Sequence, residues 1–273
     1  GKSLFGSVLG IVALLPWYDN PLGLCVDGHS SKVLYLDWES DENELRWRLK
    51  ALGLGMGVSP ISFFYRRCAL PLADDIDEIQ KHVLENDIGV LIIDSLGPAC
   101  GGELKDAPPA LRLYAAIRQL HVTPIILAHG TKEKDDHKAN AYGSVFFTAL
   151  SRSVWNVKKV QEVGDDEFVM GMFHRKSNVS KLFPPLGFRI RYTPNQTITI
   201  QQEALQGIKD LNKELPLPIR IKAVLAHGKM NLKSLAEELG VAEPTLRSTL
   251  HRMAKRNEVV QFEDGSGYGL QSR

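Results

Sequence analysis

The chain has 273 residues, and its shares of 44% hydrophobic and 24% charged side chains are ordinary for a globular protein with a sizeable core. Its formal net charge of +1 excludes a polycation that binds nucleic acid through its overall field, so such binding would need a local patch. The three cysteines, Cys25, Cys68 and Cys100, are odd in number and far apart, which argues against a disulfide framework and a thiolate metal site. This cysteine usage fits a reducing compartment, so we expect a cytoplasmic protein. We expect no membrane partner, because the apolar run 4–15 is too short to cross a bilayer.

The chain opens with Gly1, Lys2 and Ser3, followed at once by an apolar helical run. This order is typical of the end of a phosphate-binding loop, in which the lysine reaches the β- and γ-phosphates and the hydroxyl binds Mg²⁺. The alternative is a chain start with a polar helix cap. Since the sequence as written holds only the end of such a loop, we expect it to be truncated inside the motif and to bind ATP poorly.

Strand-like apolar runs then alternate with helical patterns. Helical segments of about 12 residues between strands are typical of parallel βαβ units. Continuous apolar strands indicate burial on both faces of a sheet. The predicted strands are 31–39, 61–67, 89–95 and 123–129, and the predicted helices include 43–52, 74–86 and a segment around Leu111, Ala115 and Ile117.

The pattern changes after Gly143, where four successive antiparallel strands are predicted to extend the same sheet: 153–160, 167–176, 186–193 and 196–201. We therefore predict an α/β fold with a core over 1–205 and a polar linker over 206–217. The tail 218–273 reads as three helices and a hairpin, which is the plan of a small winged helix-turn-helix domain.

Two acidic residues follow predicted strands in the order that a nucleotide site requires. Glu39 comes just after one strand and Asp94 ends another, and carboxylates at the carboxyl edge of a parallel sheet face the ligand crevice. In such a site Asp94 would hold Mg²⁺ through water beside Ser3, while Glu39 would polarise the attacking water. The alternatives are a turn-starting aspartate and a solvated helix start.

These motifs together resemble a RecA-fold P-loop ATPase, of the branch that includes plasmid RepA-type hexameric helicases and related proteins of phages and mobile elements. The resemblance covers about the first 200 residues. The motifs that carry it are GKS at 1–3, VLYLDWESDENELRWRLKALG at 33–53, VLIIDSLGPACGG at 90–102, PIILAHGTK at 124–132, GSVFFTALSRSVW at 143–155 and HRKSN at 174–178.

The resemblance implies further site residues. His129 takes the place of a polar sensor of the γ-phosphate, and Arg152 that of an arginine finger that reaches the ATP of a neighbouring subunit. Lys176 and Asn178 match an element that contacts phosphate across the same interface, although many helicases carry a second arginine where Asn178 stands. The alternatives are a strand-end histidine and a surface arginine.

DNA contacts are predicted in two regions. Loops 95–109 and 131–143 leave the sheet on the face where RecA-like proteins hold DNA, although the second loop balances three lysines with three acids. The tail from 218 carries nine Lys/Arg against six Asp/Glu, and four of these cations lie on or just after its third helix: Arg247, Arg252, Lys255 and Arg256. Winged helices also dock proteins, and Glu243, Glu263 and Asp264 would repel phosphate.

The sequence therefore predicts a homo-oligomer, such as a hexamer, that uses ATP and Mg²⁺ to move on or remodel DNA. Single-stranded DNA would contact the core and duplex DNA the tail. The main alternative is a nucleotide-controlled regulator, in which the tail binds an operator and the core switches the oligomeric state. A third hypothesis is a non-catalytic binding module in which only the tail makes contacts.

Overall fold

The computed structural model of the chain describes residues 1–15, 22, 24, 30–130, 144–262 and 267–271. The chain divides into two compact units, Gly1–Glu203 and Ala204–Arg273. The predicted DNA loop 131–143 and the acidic residues Glu263 and Asp264 lie outside the described residues.

A four-stranded parallel sheet forms the centre of the first unit. Its strands are β1 (Lys32–Asp37), β2 (Phe64–Arg67), β3 (Ile88–Asp94) and β4 (Thr123–Leu127), and their order across the sheet is β2-β1-β3-β4. The side chains of β1 and β3 are almost all buried, which confirms strands covered on both faces. Asp37 pairs in register with Asp94, so the two aspartates end neighbouring strands at one edge.

Helices connect and cover these strands. They are α1 (Lys2–Leu14), α2 (Glu42–Met56), α3 (Ile76–Asn86), α4 (Leu96–Cys100), α5 (Ala107–Gln119) and α6 (Val145–Leu150). Helix α2 begins where the Asp41 side chain accepts a hydrogen bond from the Glu44 N–H at 3.0 Å, and it ends at Gly57 in the left-handed conformation. Within the described residues, no helix has the length and apolar character that spanning a membrane requires.

Helix α1 packs closely on the parallel sheet because its glycines leave room for neighbouring side chains. A Cβ on Gly10 would lie 2.6 Å from the Phe63 ring and 2.9 Å from Ile92. Val8 and Ile11 on the same helix are fully buried in the core. This packing fixes the start of α1, and with it Lys2, relative to the strand ends.

Four antiparallel strands follow α6: β5 (Ser153–Val160), β6 (Glu167–Ser177), β7 (Leu186–Tyr192) and β8 (Ile198–Gln202). The strands are confirmed, but their placement corrects the expectation that they extend the parallel sheet. Among the described residues they form a separate sheet, in the order β5-β6-β7-β8. The physical reason is that alternate residues, such as Met170, Phe188 and Ile200, share a core with α1 and α2, so this sheet covers the helices face-on.

The second unit contains four helices and a hairpin among its described residues: α7 (Lys209–Asn212), α8 (Leu217–Leu225), α9 (Leu232–Leu239), α10 (Glu243–Lys255), β9 (Val259–Gln261) and β10 (Tyr268–Leu270). Leu235, Leu246 and Leu250 lie in its core, and Gly240 ends α9 in the left-handed conformation, as the sequence predicts. The segment predicted as a linker holds α7 and buries Leu211 and Leu215, so it is folded.

Candidate nucleotide site

Polar side chains from several elements meet at the carboxyl edge of the parallel sheet. Asp94 ends β3, Glu39 lies two residues beyond β1, and His129 lies two residues beyond β4. Lys2 opens α1 and reaches this edge through a hydrogen bond from Nζ to the Ala128 carbonyl at 3.0 Å. Open parallel sheets bind their ligands at this edge, so the structure brings four predicted catalytic residues to the expected place.

The Lys2 ammonium group is held between the strand ends. Its Nζ lies 2.9 Å from His129 Nδ1. Because an ammonium group can only donate, Nδ1 accepts and the imidazole proton is on Nε2. Burial lowers the pKa of Lys2, and the negative charges of Glu39 and Asp94 oppose this shift without cancelling it. Lys2 therefore lies within electrostatic reach of both carboxylates.

The Asp94 carboxylate accepts a hydrogen bond from a buried tyrosine. The hydroxyl group of Tyr35 on β1 lies 2.5 Å from Asp94 Oδ2, and both residues are buried. Arg48 on α2 donates to the same hydroxyl at 3.3 Å. Burial, followed by the charge of Asp94 and the hydrogen bond to it, raises the pKa of Tyr35, so the phenol keeps its proton.

Glu39 is only partly buried, but both its backbone and its carboxylate have fixed partners. Asp37 Oδ1 accepts hydrogen bonds from the Glu39 N–H at 2.9 Å and the Ser40 N–H at 2.8 Å, which holds the turn that follows β1. The Ser95 hydroxyl, next to Asp94 in sequence, donates to Glu39 Oε1. The candidate base is therefore joined to Asp37 and to Ser95, the residue that follows Asp94.

Asp37 is fully buried and satisfied as a carboxylate. Its Oδ2 accepts hydrogen bonds from the Ser40 hydroxyl at 2.7 Å and from the Tyr65 hydroxyl at 3.2 Å. Burial alone would raise the pKa of Asp37, but the hydrogen bonds from Ser40, Glu39 and Tyr65 outweigh it and hold the pKa below its ordinary value. The same contact raises the pKa of Tyr65 to about 12, with burial as the larger cause.

The donors at this edge fit ATP and Mg²⁺. The Asp94 carboxylate and the half-buried Ser3 hydroxyl are hard oxygen ligands of the kind that Mg²⁺ prefers. Gly1 precedes the first turn of α1, whose free N–H groups and dipole favour phosphate. The described residues hold no group of three or more His, Cys, Asp or Glu able to bind a metal unaided, so magnesium here would take its remaining ligands from water and phosphate oxygens.

Arg152, Lys176 and Asn178 lie together elsewhere in the first unit, around one end of β5 and β6. The Asn178 N–H donates to the Arg152 carbonyl at 2.8 Å, and the Arg152 side chain is exposed. At the other end of β5, Lys159 Cδ lies 3.8 Å from where a Cβ on Gly1 would stand. At ~3.3 Å per strand residue, roughly 20 Å of β5 separates Arg152 from Lys159. Within one chain the structure thus does not bring these three residues to the Lys2 site.

Lys176 has contacts that the resemblance does not imply. Its ammonium group donates to the carbonyls of Thr148, Ala149 and Ser151, at 2.8, 2.7 and 2.7 Å. These carbonyls belong to the end of α6, where a cation stabilises the helix. All three donors of Lys176 are used within its own chain, so its contacts are those of a helix cap.

Sequence reasoning missed four residues that shape the site: Asp37, Ser95, Tyr35 and Arg48. An aspartate followed three positions later by a serine is typical of a side-chain-supported turn, and this signal could have identified Asp37. A serine directly before a helix ordinarily caps it, but the Ser95 hydroxyl contacts Glu39 instead. Tyr35 and Arg48 gave no local signal, because their partners come from distant parts of the chain.

Three of the predicted DNA-binding cations lie on the exposed face of α10, in the second unit. Arg247, Arg252 and Lys255 are exposed, and Arg256 follows directly at the end of the helix. None of the four pairs with a carboxylate within the described part of the chain, while Arg252 donates to the Thr249 hydroxyl at 3.2 Å. This face carries positive charge that is free to meet a phosphate backbone.

Part of the chain is similar to known proteins. Residues 1–135, slightly under half of the chain, match the AAA domain family. Among solved structures, the chain is similar to a KaiC-like protein from the hyperthermophilic archaeon Pyrococcus horikoshii OT3. That likeness has 14% sequence identity and a TM-score of 0.43, and it covers 63% of this chain and 76% of the other. The chain matches no curated protein.

The residues that match the AAA domain family are the ones that build the candidate site of the first unit. A parallel sheet follows an N-terminal helix that begins with Lys2 and Ser3, and Asp94 ends the central strand β3. Residues 1–135 contain all of these features and match the AAA domain family. The first unit is therefore an α/β domain with a parallel sheet, and the part of it that holds these features is similar to the AAA domain family.

Proposed function

We propose that this protein is a Mg²⁺-dependent ATPase that acts as a motor on DNA, with a replicative or mobile-element helicase as its concrete form. The observation that carries the proposal is the meeting of Lys2, Glu39, Asp94 and His129 at one edge of the parallel sheet. A cation, two carboxylates and a helix start are the groups that phosphoryl transfer needs. The RepA-type branch remains part of the proposal and rests on motif order.

Each residue has a role in this reaction. Lys2 would bind the β- and γ-phosphates, and Ser3 and Asp94 would hold the metal ion. Magnesium, when bound, neutralises charge that develops on the phosphate oxygens. Glu39 would accept a proton from the attacking water, whose oxygen bonds to the γ-phosphorus as the bond to the β-phosphate oxygen breaks, giving ADP and phosphate. His129 would sense the γ-phosphate through the Nε2 proton.

The positive charge that completes the site would come from a second copy of the chain. Arg152 is exposed, free of ion pairs among the described residues and distant from Lys2 of its own chain, as an arginine finger acting in trans requires. Lys176 would support the segment that carries Arg152 by capping α6, and Asn178 would support it through a backbone hydrogen bond to Arg152. Hydrolysis would then depend on a homo-oligomer, such as a hexamer.

ATP turnover by the natural full-length protein tests this proposal. Lys2→Ala and Asp94→Asn should each abolish turnover, because they remove the phosphate contact and the metal ligand. Lys32→Ala is a matched control, since Lys32 is an exposed lysine at the opposite edge of the same sheet, where it donates to the Asn86 carbonyl at 3.0 Å. Equal turnover by wild type and Lys2→Ala would contradict the proposal.

A second candidate is a nucleotide-controlled regulator whose tail binds duplex DNA. The exposed cations of α10 favour it, because the helices α8, α9 and α10 followed by a hairpin have the order of a winged helix, whose third helix enters the major groove. Strand separation that needs continued hydrolysis supports the motor. Tight binding of a defined duplex with a non-hydrolysable ATP analogue, without strand separation, supports the regulator.

A further inference from the structure

The Asp94 carboxylate is held by a series of hydrogen-bonded side chains that have no role in the proposed reaction. Tyr35 donates to Asp94 Oδ2 at 2.5 Å, and Arg48 donates to the Tyr35 oxygen at 3.3 Å. Arg48 also pairs with Glu44 at 2.5 Å, one turn earlier on α2. This hydrogen-bonded series therefore extends from the surface of α2 through β1 to the end of β3.

The donor and acceptor of each hydrogen bond between Arg48, Tyr35 and Asp94 follow from the chemistry of the groups. A guanidinium group can only donate, so the Tyr35 oxygen accepts from Arg48 and must give its own proton to Asp94. Asp94 Oδ2 is therefore an acceptor with a buried donor. In the described part of the chain, Tyr35 is the donor to this carboxylate, which leaves Oδ1 for another partner.

We propose that Tyr35, oriented by Arg48, is a positioning residue that aims Asp94 Oδ1 at the metal ion. This inference rests on the proposed function, since it assigns Asp94 to Mg²⁺. A tyrosine that only filled space would need no hydroxyl at this buried position, where an unpaired polar group is unfavourable. Arg48 is only 8% exposed, and a buried charged group needs polar partners, which for Arg48 are Glu44 and the Tyr35 oxygen.

The sheet offers a matched control for this role. Tyr65 on β2 is the register partner of Tyr35, and its hydroxyl donates to the neighbouring aspartate, Asp37, at 3.2 Å. Tyr35→Phe and Tyr65→Phe therefore remove the same chemical group from adjacent strands. Only the first removes a hydrogen bond from the proposed metal ligand.

The experiment measures binding of Mn²⁺ to the natural full-length protein with a non-hydrolysable ATP analogue, by electron paramagnetic resonance. We expect Tyr35→Phe to weaken Mn²⁺ binding about tenfold, as removal of a ligand's hydrogen-bond partner typically does. Binding of the analogue without metal should be unchanged, and Tyr65→Phe should bind Mn²⁺ like wild type. Equal Mn²⁺ affinities for Tyr35→Phe and wild type would overturn the inference.

Two further outcomes separate the possible failures. If wild type binds the analogue but no Mn²⁺ with it, the proposed function fails together with the inference. If Tyr35→Phe unfolds, Arg48→Met replaces it, because this change keeps the tyrosine hydroxyl but frees its orientation. We expect Arg48→Met to weaken Mn²⁺ binding less than tenfold, and an affinity equal to wild type would then count against the positioning role.

Discussion

Ser95 and Glu39 are joined by a hydrogen bond from the serine hydroxyl to Glu39 Oε1. Ser95 stands at the position before α4 where a serine ordinarily accepts from the helix N–H groups, but it makes no such side-chain contact. The bond therefore links the candidate base to the residue next to Asp94. The bond restrains the Glu39 side chain and provides a hydrogen-bond donor to its carboxylate.

Ser95→Ala should raise the rate of ATP hydrolysis at saturating ATP by roughly two- to tenfold, because a net hydrogen bond of ~0.5–1.5 kcal/mol no longer restrains the Glu39 carboxylate. The measurement is kcat in steady-state turnover, with ATP affinity expected to stay unchanged. In a Glu39→Gln background the serine change should have no effect. A lower kcat in Ser95→Ala would contradict this prediction, because it would show that the hydrogen bond holds Glu39 in its active position.

Asp37→Asn should lower the free energy of unfolding by about 1–3 kcal/mol at pH 7, since an amide cannot accept all four hydrogen bonds of the buried carboxylate. The folded-state pKa of Asp37 is depressed below its ordinary value of 3.8. Its contribution is therefore present above that value and is lost as pH falls through the folded-state pKa.

Urea unfolding at several pH values measures this difference between wild type and Asp37→Asn. The gap should narrow under acid conditions, as wild type loses the contribution of the carboxylate. Asp41→Asn is a suitable control, because Asp41 is an exposed helix cap and asparagine caps almost as well. A constant gap across the acid range would contradict the assigned role of the Asp37 charge.

Lys176→Met should destabilise the first unit by about 1–3 kcal/mol, because it leaves the carbonyls of Thr148, Ala149 and Ser151 without their charged donor. Arg152→Ala should leave stability within ~0.5 kcal/mol of wild type, since that side chain is exposed. Thermal unfolding distinguishes the two variants. If Lys176→Met unfolds like wild type, the capping role is wrong.

Arg247→Ala and Arg252→Ala should each weaken binding to duplex DNA and reduce the slope of log affinity against log salt by about one for each phosphate that the side chain neutralises. Stability of the second unit should hold, because both side chains are exposed. Lys233→Ala is the control, because Lys233 is a cation on α9, outside the α10 face. Fluorescence anisotropy at several salt concentrations measures the effect, and equally weakened binding in all three variants would exclude α10 as the DNA-binding face.

Much of the site could be predicted from sequence because its key groups follow strands. Apolar runs that end in an acidic residue placed Asp94 and Glu39 at one edge, and motif order added Lys2 and His129. The residues that support them could not be found in this way. Tyr35 lies in an apolar strand, and only the register of β1 with β3 brings its hydroxyl to Asp94.

The second sheet shows a different limit. Alternation of apolar and polar residues in 153–202 predicts strands and their buried faces, but it does not say which edges pair. Whether β5–β8 extend the parallel sheet or form a separate one depends on where α1 and α2 need covering. The three hydrogen bonds of Lys176 could not be predicted from the sequence either, because the acceptor carbonyls lie 25 to 28 positions away in the chain.

ATP turnover by the natural full-length protein, with and without single-stranded DNA, tests the central proposal most directly when Arg152→Ala is measured beside wild type. We expect DNA to stimulate wild-type turnover strongly and Arg152→Ala to reduce it by about 10³-fold or more, as for an arginine finger that acts in trans. Turnover that neither DNA nor the Arg152 variant changes would contradict a DNA-coupled, assembled motor.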